Sequence, residues 1–184
     1  MASQSRPRTL FTGAILPDDS VVDLLVEGAV IADVTEAGAT PFSEDDVRQV
    51  DVTGLRVLPG LVDLHTHLRE PGREDSETVE TGTRAAAMGG FTAVHAMANT
   101  EPVADTAGVV EQVWRLGREA GWCEVRPVGA VTTGLAGTHL AELGAMADSA
   151  AAVRVFSDDG KCVDDAVIMR RALEYVKAFD GVIA

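Results

Sequence analysis

The sequence predicts an α/β fold, and three patterns predict it. Up to Pro59-Gly60, short runs of β-forming residues alternate with closely spaced turn residues. Beyond that point the pattern becomes strand, loop, helix, in four successive units. The last residues, Gly181-Val182-Ile183-Ala184, then begin a fifth strand. Four βα units and a strand stub correspond to half of a (β/α)8 barrel, preceded here by a small antiparallel β-unit. A three-layer open sheet of order 2-1-3-4-5 is the alternative arrangement.

In the first part, Thr9-Leu10-Phe11-Thr12 leads to Ile15-Leu16, and Pro17-Asp18-Asp19-Ser20 forms a turn. Val21 to Val26 reads as a strand, Glu27-Gly28 turns, and Ala29 to Val34 returns. Thr35 to Asp46 is loop-like, and Val50-Asp51-Val52 and Arg56-Val57-Leu58 resume the β-pattern. In the second part the strands fall at Leu61–His65, Phe91–Met97, Glu124–Val131 and Ala152–Phe156. Helices follow at about Glu77–Met88, Thr106–Ala120, His139–Ser149 and Asp164–Phe179. Gly89-Gly90 stops the first of them, and Asp105-Thr106 is placed to cap the second. Met88 and Met146 are expected in the core, and Trp114 and Trp122 between helix and sheet.

Composition narrows the partners. Apolar residues make up 46% of the chain and charged residues 24%, as in globular domains. The net charge of −14, from 29 acidic and 15 basic residues, opposes nucleic acid and anionic lipid alike. An anionic small molecule would need local basic residues to hold it against that field. Cys123 and Cys162 are far apart and form no CxxC pair, which fits a reducing compartment. The N-terminus lacks a signal-peptide core, and no apolar run approaches the roughly 20 residues of a membrane span. A cytoplasmic protein is expected.

His65-Thr66-His67 is the sharpest chemical signal. On a strand, residues i and i+2 face the same side, so both imidazoles converge at the C-terminal end of the first barrel strand. Imidazole nitrogens suit zinc, although HxH also occurs by chance at strand ends.

The surrounding segment Asp63-Leu64-His65-Thr66-His67-Leu68-Arg69-Glu70-Pro71-Gly72, preceded by Pro59-Gly60-Leu61-Val62, resembles the signature of dihydroorotases in the amidohydrolase superfamily. Met97-Ala98-Asn99-Thr100 resembles that family's MPNT segment, with Ala98 where proline is usual. Phe156-Ser157-Asp158-Asp159-Gly160-Lys161 resembles the members in which an aspartate replaces a carboxylated lysine. The resemblance implies His65, His67 and Asp159 as ligands of one or two zinc ions, with Asp158 as the alternative to Asp159. It implies Arg69 and Asn99 as donors to a substrate carboxylate. A guanidinium fork matches a carboxylate bidentately; a salt bridge to Glu70 or Glu74 is the plainer reading of Arg69. Lys161 is expected to be exposed, His95 to sit within its strand, and His139 to start a helix at the surface.

The implied reaction is the reversible cyclisation of N-carbamoyl-L-aspartate to (S)-dihydroorotate in pyrimidine synthesis. The family's catalytic aspartate is expected beyond residue 184, so the fragment alone is expected to be inactive. Residues 1–59 would contribute to a composite β-sandwich, and residues 60–184 would be the first half of the barrel. The full-length protein is expected to be a homodimer, with association with aspartate transcarbamoylase also to be considered. Other cyclic amidases, allantoinase or hydantoinase, and a non-catalytic dihydroorotase-like partner of the transcarbamoylase are the alternatives. Arg69 and the lack of a strand-four lysine weigh against the former, and the intact histidines against the latter. A flavodoxin-like module would need a phosphate loop where this chain has His-Leu-Arg-Glu-Pro-Gly.

Overall fold

A computed structural model of the chain describes residues 7–39 and 47–184; the part of the expected loop from 40 to 46 lies outside them. The chain divides into two compact units, Met1–Pro59 and Gly60–Ala184.

The first unit is a four-stranded sheet of order β3-β2-β1-β4, with β1 Arg8–Ile15, β2 Val21–Glu27, β3 Val30–Glu36 and β4 Arg48–Asp51. The hairpin turns follow from their residues. Asp18 Oδ1 accepts from the Ser20 backbone N–H at 3.1 Å and from its hydroxyl at 2.6 Å, closing the β1–β2 turn. Gly28 turns β2 into β3 at φ 63°. Leu10, Leu25 and Val47 are buried together, as are Ala14, Val22 and Leu24. The buried Asp23 accepts backbone N–H bonds from Gly13 and Gly38, both at 2.9 Å.

Two expectations for this unit need correction. β1–β2 and β2–β3 are antiparallel, but β4 joins β1 in parallel, from Thr9↔Arg48 to Thr12↔Asp51. A long connection rather than a tight turn separates β3 from β4, and that is what a parallel return requires. Arg56 to Leu58 is not a strand. It is reduced to one bridge, Ile15↔Arg56, flanked by Ile15 N–H to Leu55 O at 3.0 Å and Val57 N–H to Ile15 O at 2.9 Å.

The second unit alternates β5 Leu61–Thr66, α1 Val79–Met88, β6 Phe91–Ala96, α2 Ala107–Ala120, β7 Glu124–Pro127, α3 Leu143–Asp148, β8 Val155–Phe156, α4 Ala166–Val176 and β9 Val182–Ile183. Strands β5-β6-β7 pair in parallel, as do β8-β9. A parallel bridge, Gly129↔Phe156, links the stretch after β7 to β8. The strands therefore follow one another in chain order. The 2-1-3-4-5 alternative fails because β6, not β5, is the middle strand of its sheet.

Local chemistry sets the helix ends. Thr78 and Thr81 form a reciprocal capping box at α1, Asp165 accepts from Val167 and Ile168 at the start of α4, and Gly121 ends α2 in the left-handed region. Thr106 stands at the α2 N-cap without a side-chain bond, and Asp105 instead accepts from Gly134 N–H at 2.8 Å. Phe156, Leu143, Met146, Val110 and Val131 are among the buried residues between helices and strands. Trp114 packs against that core, but Met88 and Trp122 are exposed, contrary to expectation. Met88 is the last residue of α1, and the Trp122 indole N–H donates to Glu80 at 3.1 Å on the surface.

The third βα unit is the least regular. β7 ends at Pro127, and α3 starts at Leu143 rather than His139. The chain between pairs with itself: Thr132 bridges Leu140, Ala141 N–H donates to Val131 O at 2.9 Å, and Thr133 N–H donates to His139 O at 3.0 Å. His139 is thus exposed, as expected, but on a loop. Among the described residues no helix is long and apolar enough to cross a membrane.

Candidate metal centre

The parallel order of β5 to β8 gives their C-terminal ends a common side, and side chains from three of these ends meet. His65 is the penultimate residue of β5, and His67 lies just beyond its end. Asp159 follows β8 after Ser157 and Asp158. One ligand atom from each of His65, His67 and Asp159 falls within 4.8 Å of the others. His65 Nε2 is 3.1 Å from Asp159 Oδ1, and His67 Nε2 is 3.7 Å from Asp159 Oδ2. The imidazole rings stand edge to face, 5.2 Å apart. Two imidazole nitrogens and a carboxylate oxygen converging in this way form a donor set of the kind zinc takes. The residues present fit such an ion.

Asn99, beyond the end of β6, completes the cluster. Its Oδ1 is 2.9 Å from His67 Nδ1, and its Nδ2 donates to Asp159 Oδ2 at 3.1 Å. The amide therefore ties the β5 histidine to the β8 aspartate. His65 is the open member of the set, with 56% of its side chain exposed, against 28% for His67 and 15% for Asp159.

Asp158 and Asp159 are sent in opposite directions. Asp158 is buried and accepts the backbone N–H groups of Val131 at 2.8 Å and Thr132 at 2.9 Å, together with the Thr132 hydroxyl. Its acceptor capacity is spent on pinning the loop after β7. Asp159 has φ 23°, outside the usual range of L residues, and its N–H donates to the Ser157 hydroxyl at 3.1 Å. That local twist turns the second carboxylate towards the histidines.

Arg69 is half-buried at φ 63°, and Glu70 N–H donates back to Leu68 O at 2.8 Å. The extended alternation running through His65 and His67 stops here, so periodicity alone does not aim this side chain. The alternative reading of Arg69, a salt bridge to Glu70 or Glu74, does not hold, since neither bridge forms. Glu70 accepts from Val79 N–H at 2.7 Å at the start of α1, and Glu74 accepts from Gly72 N–H at 2.8 Å. The Gly72 bond lowers the Glu74 carboxyl below its ordinary range. Among the described residues Arg69 has no ion-pair partner, and it makes no hydrogen bond to the four residues of the cluster.

A cavity of about 540 Å³ adjoins the cluster, lined by His65, Met97, Asp159, Lys161, Met169 and others. Lys161 is exposed, as expected. His95 is half-buried in β6, with Nδ1 3.3 Å from Asp63 O, away from the cluster.

Residues 54–184, more than half of the chain, match the model of the dihydro-orotase-like family. The chain belongs to that family. It is 67% identical over 177 residues to a dihydroorotase of Streptomyces coelicolor, covering 96% of this chain and 40% of that protein. It is 68% identical over 179 residues to one from Leifsonia xyli, covering 95% and 39% respectively. A dihydroorotase of Mycobacterium tuberculosis is 56% identical over 163 residues, 89% of this chain and 37% of that protein. The chain thus spans about 40% of the length of the curated relatives it matches. Among solved structures, an L-hydantoinase from Arthrobacter aurescens superposes with a TM-score of 0.77 at 20% identity, over 95% of this chain and 39% of that one. A dihydropyrimidinase from Brevibacillus agri gives 0.66 at 18%, over 96% and 39%. At these identities the superpositions establish a shared fold.

Two features of this family member escape sequence reasoning. One is the bridge from Asn99 to both His67 and Asp159. The other is Thr132, whose hydroxyl and backbone N–H bind Asp158. For the first, the only signal is an amide, with both donor and acceptor capacity, at the end of the next parallel strand, 32 residues from His67. For the second there is no local signal, since 26 residues separate the partners.

Proposed function

We propose that this chain carries the metal- and carboxylate-binding part of a zinc-dependent dihydroorotase, which interconverts N-carbamoyl-L-aspartate and (S)-dihydroorotate. The observation that carries the reading is the convergence of His65, His67 and Asp159 at the ends of parallel strands. These three residues would hold one zinc ion, or share in holding two, in a full-length subunit. Zinc supplies Lewis-acid polarisation of an amide carbonyl and acidifies water, the two demands of opening a cyclic amide.

The chain's own residues supply recognition. Arg69, without a carboxylate partner among the described residues, offers its guanidinium fork to the substrate carboxylate. Asn99 has two amide N–H donors; one is given to Asp159, and the second is assigned to the same carboxylate. The Arg69 guanidinium supplies local positive charge against the net charge of −14 where an anion must enter, and the Asn99 amide adds a neutral donor. β8 holds no lysine, and the Arg154 guanidinium is bonded to Ala147 O and Val153 O, both at 2.8 Å. An aspartate in place of a carboxylated lysine favours a dihydroorotase over an allantoinase or hydantoinase.

The second unit is read as the first half of a (β/α)8 barrel, its cluster on the C-terminal side where such barrels work. The first unit is read as one part of a composite β-sandwich. Homodimerisation when full length, association with aspartate transcarbamoylase, and a cytoplasmic location that keeps Cys123 and Cys162 reduced belong to the same proposal.

Exchange of the corresponding segment of the Streptomyces coelicolor dihydroorotase for this chain tests the function directly. The chimera is expected to open dihydroorotate and to leave allantoin and hydantoin untouched. Arg69→Lys in it should raise KM for dihydroorotate roughly tenfold or more, because a point charge does not replace the fork. A folded chimera without dihydroorotate turnover, or an unchanged KM in the variant, would overturn the assignment.

A further inference from the structure

We infer that Asn99 is a positioning residue that fixes the tautomer of His67, leaving Nε2 with its lone pair towards Asp159 and Nδ1 with the proton. The inference rests on the metal-centre reading, and it gives Asn99 a task besides meeting substrate.

Each step follows from which groups donate and which accept. An ionised carboxylate only accepts hydrogen bonds, so the Asn99 atom 3.1 Å from Asp159 Oδ2 must be the amide nitrogen. The other end of the amide, 2.9 Å from His67 Nδ1, is therefore the carbonyl oxygen, which also only accepts. Nδ1 must then carry the hydrogen. In a neutral imidazole that leaves Nε2 unprotonated, the form a metal ligand needs. The reversed amide is disfavoured, because it would set a carbonyl oxygen against the carboxylate. Asp159 thus acts on His67 through Asn99, and the three strand ends are locked by one side chain.

His65 has no such lock. Among the described residues its Nδ1 has no hydrogen-bond partner, and its Nε2 lies 3.1 Å from Asp159 Oδ1, where an Nε2–H would donate. The corresponding distance from His67 Nε2 is 3.7 Å, beyond a normal hydrogen bond. Without metal, the two histidines should therefore be opposite tautomers although they are two residues apart: Nε2–H at His65 and Nδ1–H at His67. Ligation through Nε2 would require the His65 hydrogen to move from Nε2 to Nδ1, with no net proton released, whereas His67 would already be in the ligating form.

The test is a long-range proton–nitrogen correlation spectrum of the 15N-labelled, metal-free chain at about pH 8.5, where ordinary imidazoles are neutral. Opposite tautomers at the two positions are expected. Asn99→Ala should move His67 to predominantly Nε2–H and leave His65 unchanged. Asn99→Asp restores an acceptor for Nδ1–H and should return His67 to the native tautomer. Zinc affinity, measured by chelator competition, should fall about 10- to 100-fold in Asn99→Ala. His67 found as Nε2–H in the native chain, or unmoved by Asn99→Ala, overturns the inference. If Asn99→Ala does not fold, the native spectrum and Asn99→Asp decide. A native chain with opposite tautomers that binds no zinc would instead sink the metal-centre reading and leave the positioning intact.

Discussion

Adjacent aspartates with the same intrinsic chemistry do different work here, and hydrogen bonding decides which does which. Asp158 accepts two backbone N–H bonds and one hydroxyl bond in a buried setting, so its contribution is to the loop after β7. Asp159 accepts no backbone N–H among the described residues; it accepts the Asn99 amide and keeps its carboxylate oxygens facing His65 and His67. Asp158→Asn is expected to lower stability by about 1–3 kcal/mol, because an amide cannot accept at both ends and leaves a buried donor unmatched. Asp159→Asn should leave the urea midpoint near that of the native chain but weaken zinc retention tenfold or more. Equal zinc loss in both variants at equal stability would remove the distinction. The Asp-Asp-Gly pattern marks both residues as site candidates but does not rank them by itself. What ranks them is the contact of Asp158 with Val131 and Thr132, 27 and 26 residues away, and no local pattern encodes it.

At the scale of elements, helices were legible where their caps are chemical and strands where their apolar runs are long. Thr78, Asp165 and Gly121 mark helix ends that sequence and structure agree on within two residues. β7 stops early and α3 starts late, because after Gly129, which bridges Phe156, residues 131–141 pair with one another and Val131 and Thr132 bond to Asp158. The glycines of α2 make the packing testable. A Cβ on Gly117 would sit 2.5 Å from Val125 Cβ, whereas one on Gly108 would meet nothing within 4 Å. Alanine in a helix gains up to about 1 kcal/mol over glycine. Overpacking against a strand residue costs about 1–3 kcal/mol. Gly117→Ala is therefore expected to be destabilising in urea unfolding, and Gly108→Ala neutral to stabilising by a few tenths to about 1 kcal/mol. A Gly117→Ala chain more stable than the native one would show that α2 does not pack on β7 as closely as described.

For the whole molecule, the chain-ordered parallel strands of the second unit are what bring His65, Asn99 and Asp159 together. In the proposed half-barrel, β5 and α4 would be flanked by further elements, and both carry exposed apolar side chains: Leu61, Val62 and Leu64 on β5, and Val167, Leu173 and Tyr175 on α4. Periodicity made the order of elements and the HxH pair readable, and family resemblance pointed to Asp159. Periodicity did not reveal the parallel β4 or the left-handed backbone at Arg69, which depend on long connections and local twist. The central claim is that His65, His67 and Asp159 form a metal centre, and anomalous diffraction at the zinc edge from zinc-soaked crystals of the chain tests it most directly. An anomalous peak is expected about 2.0–2.2 Å from a nitrogen of each histidine and an oxygen of Asp159. Ordered side chains at all three positions with no peak between them, or zinc bound only elsewhere, would contradict it.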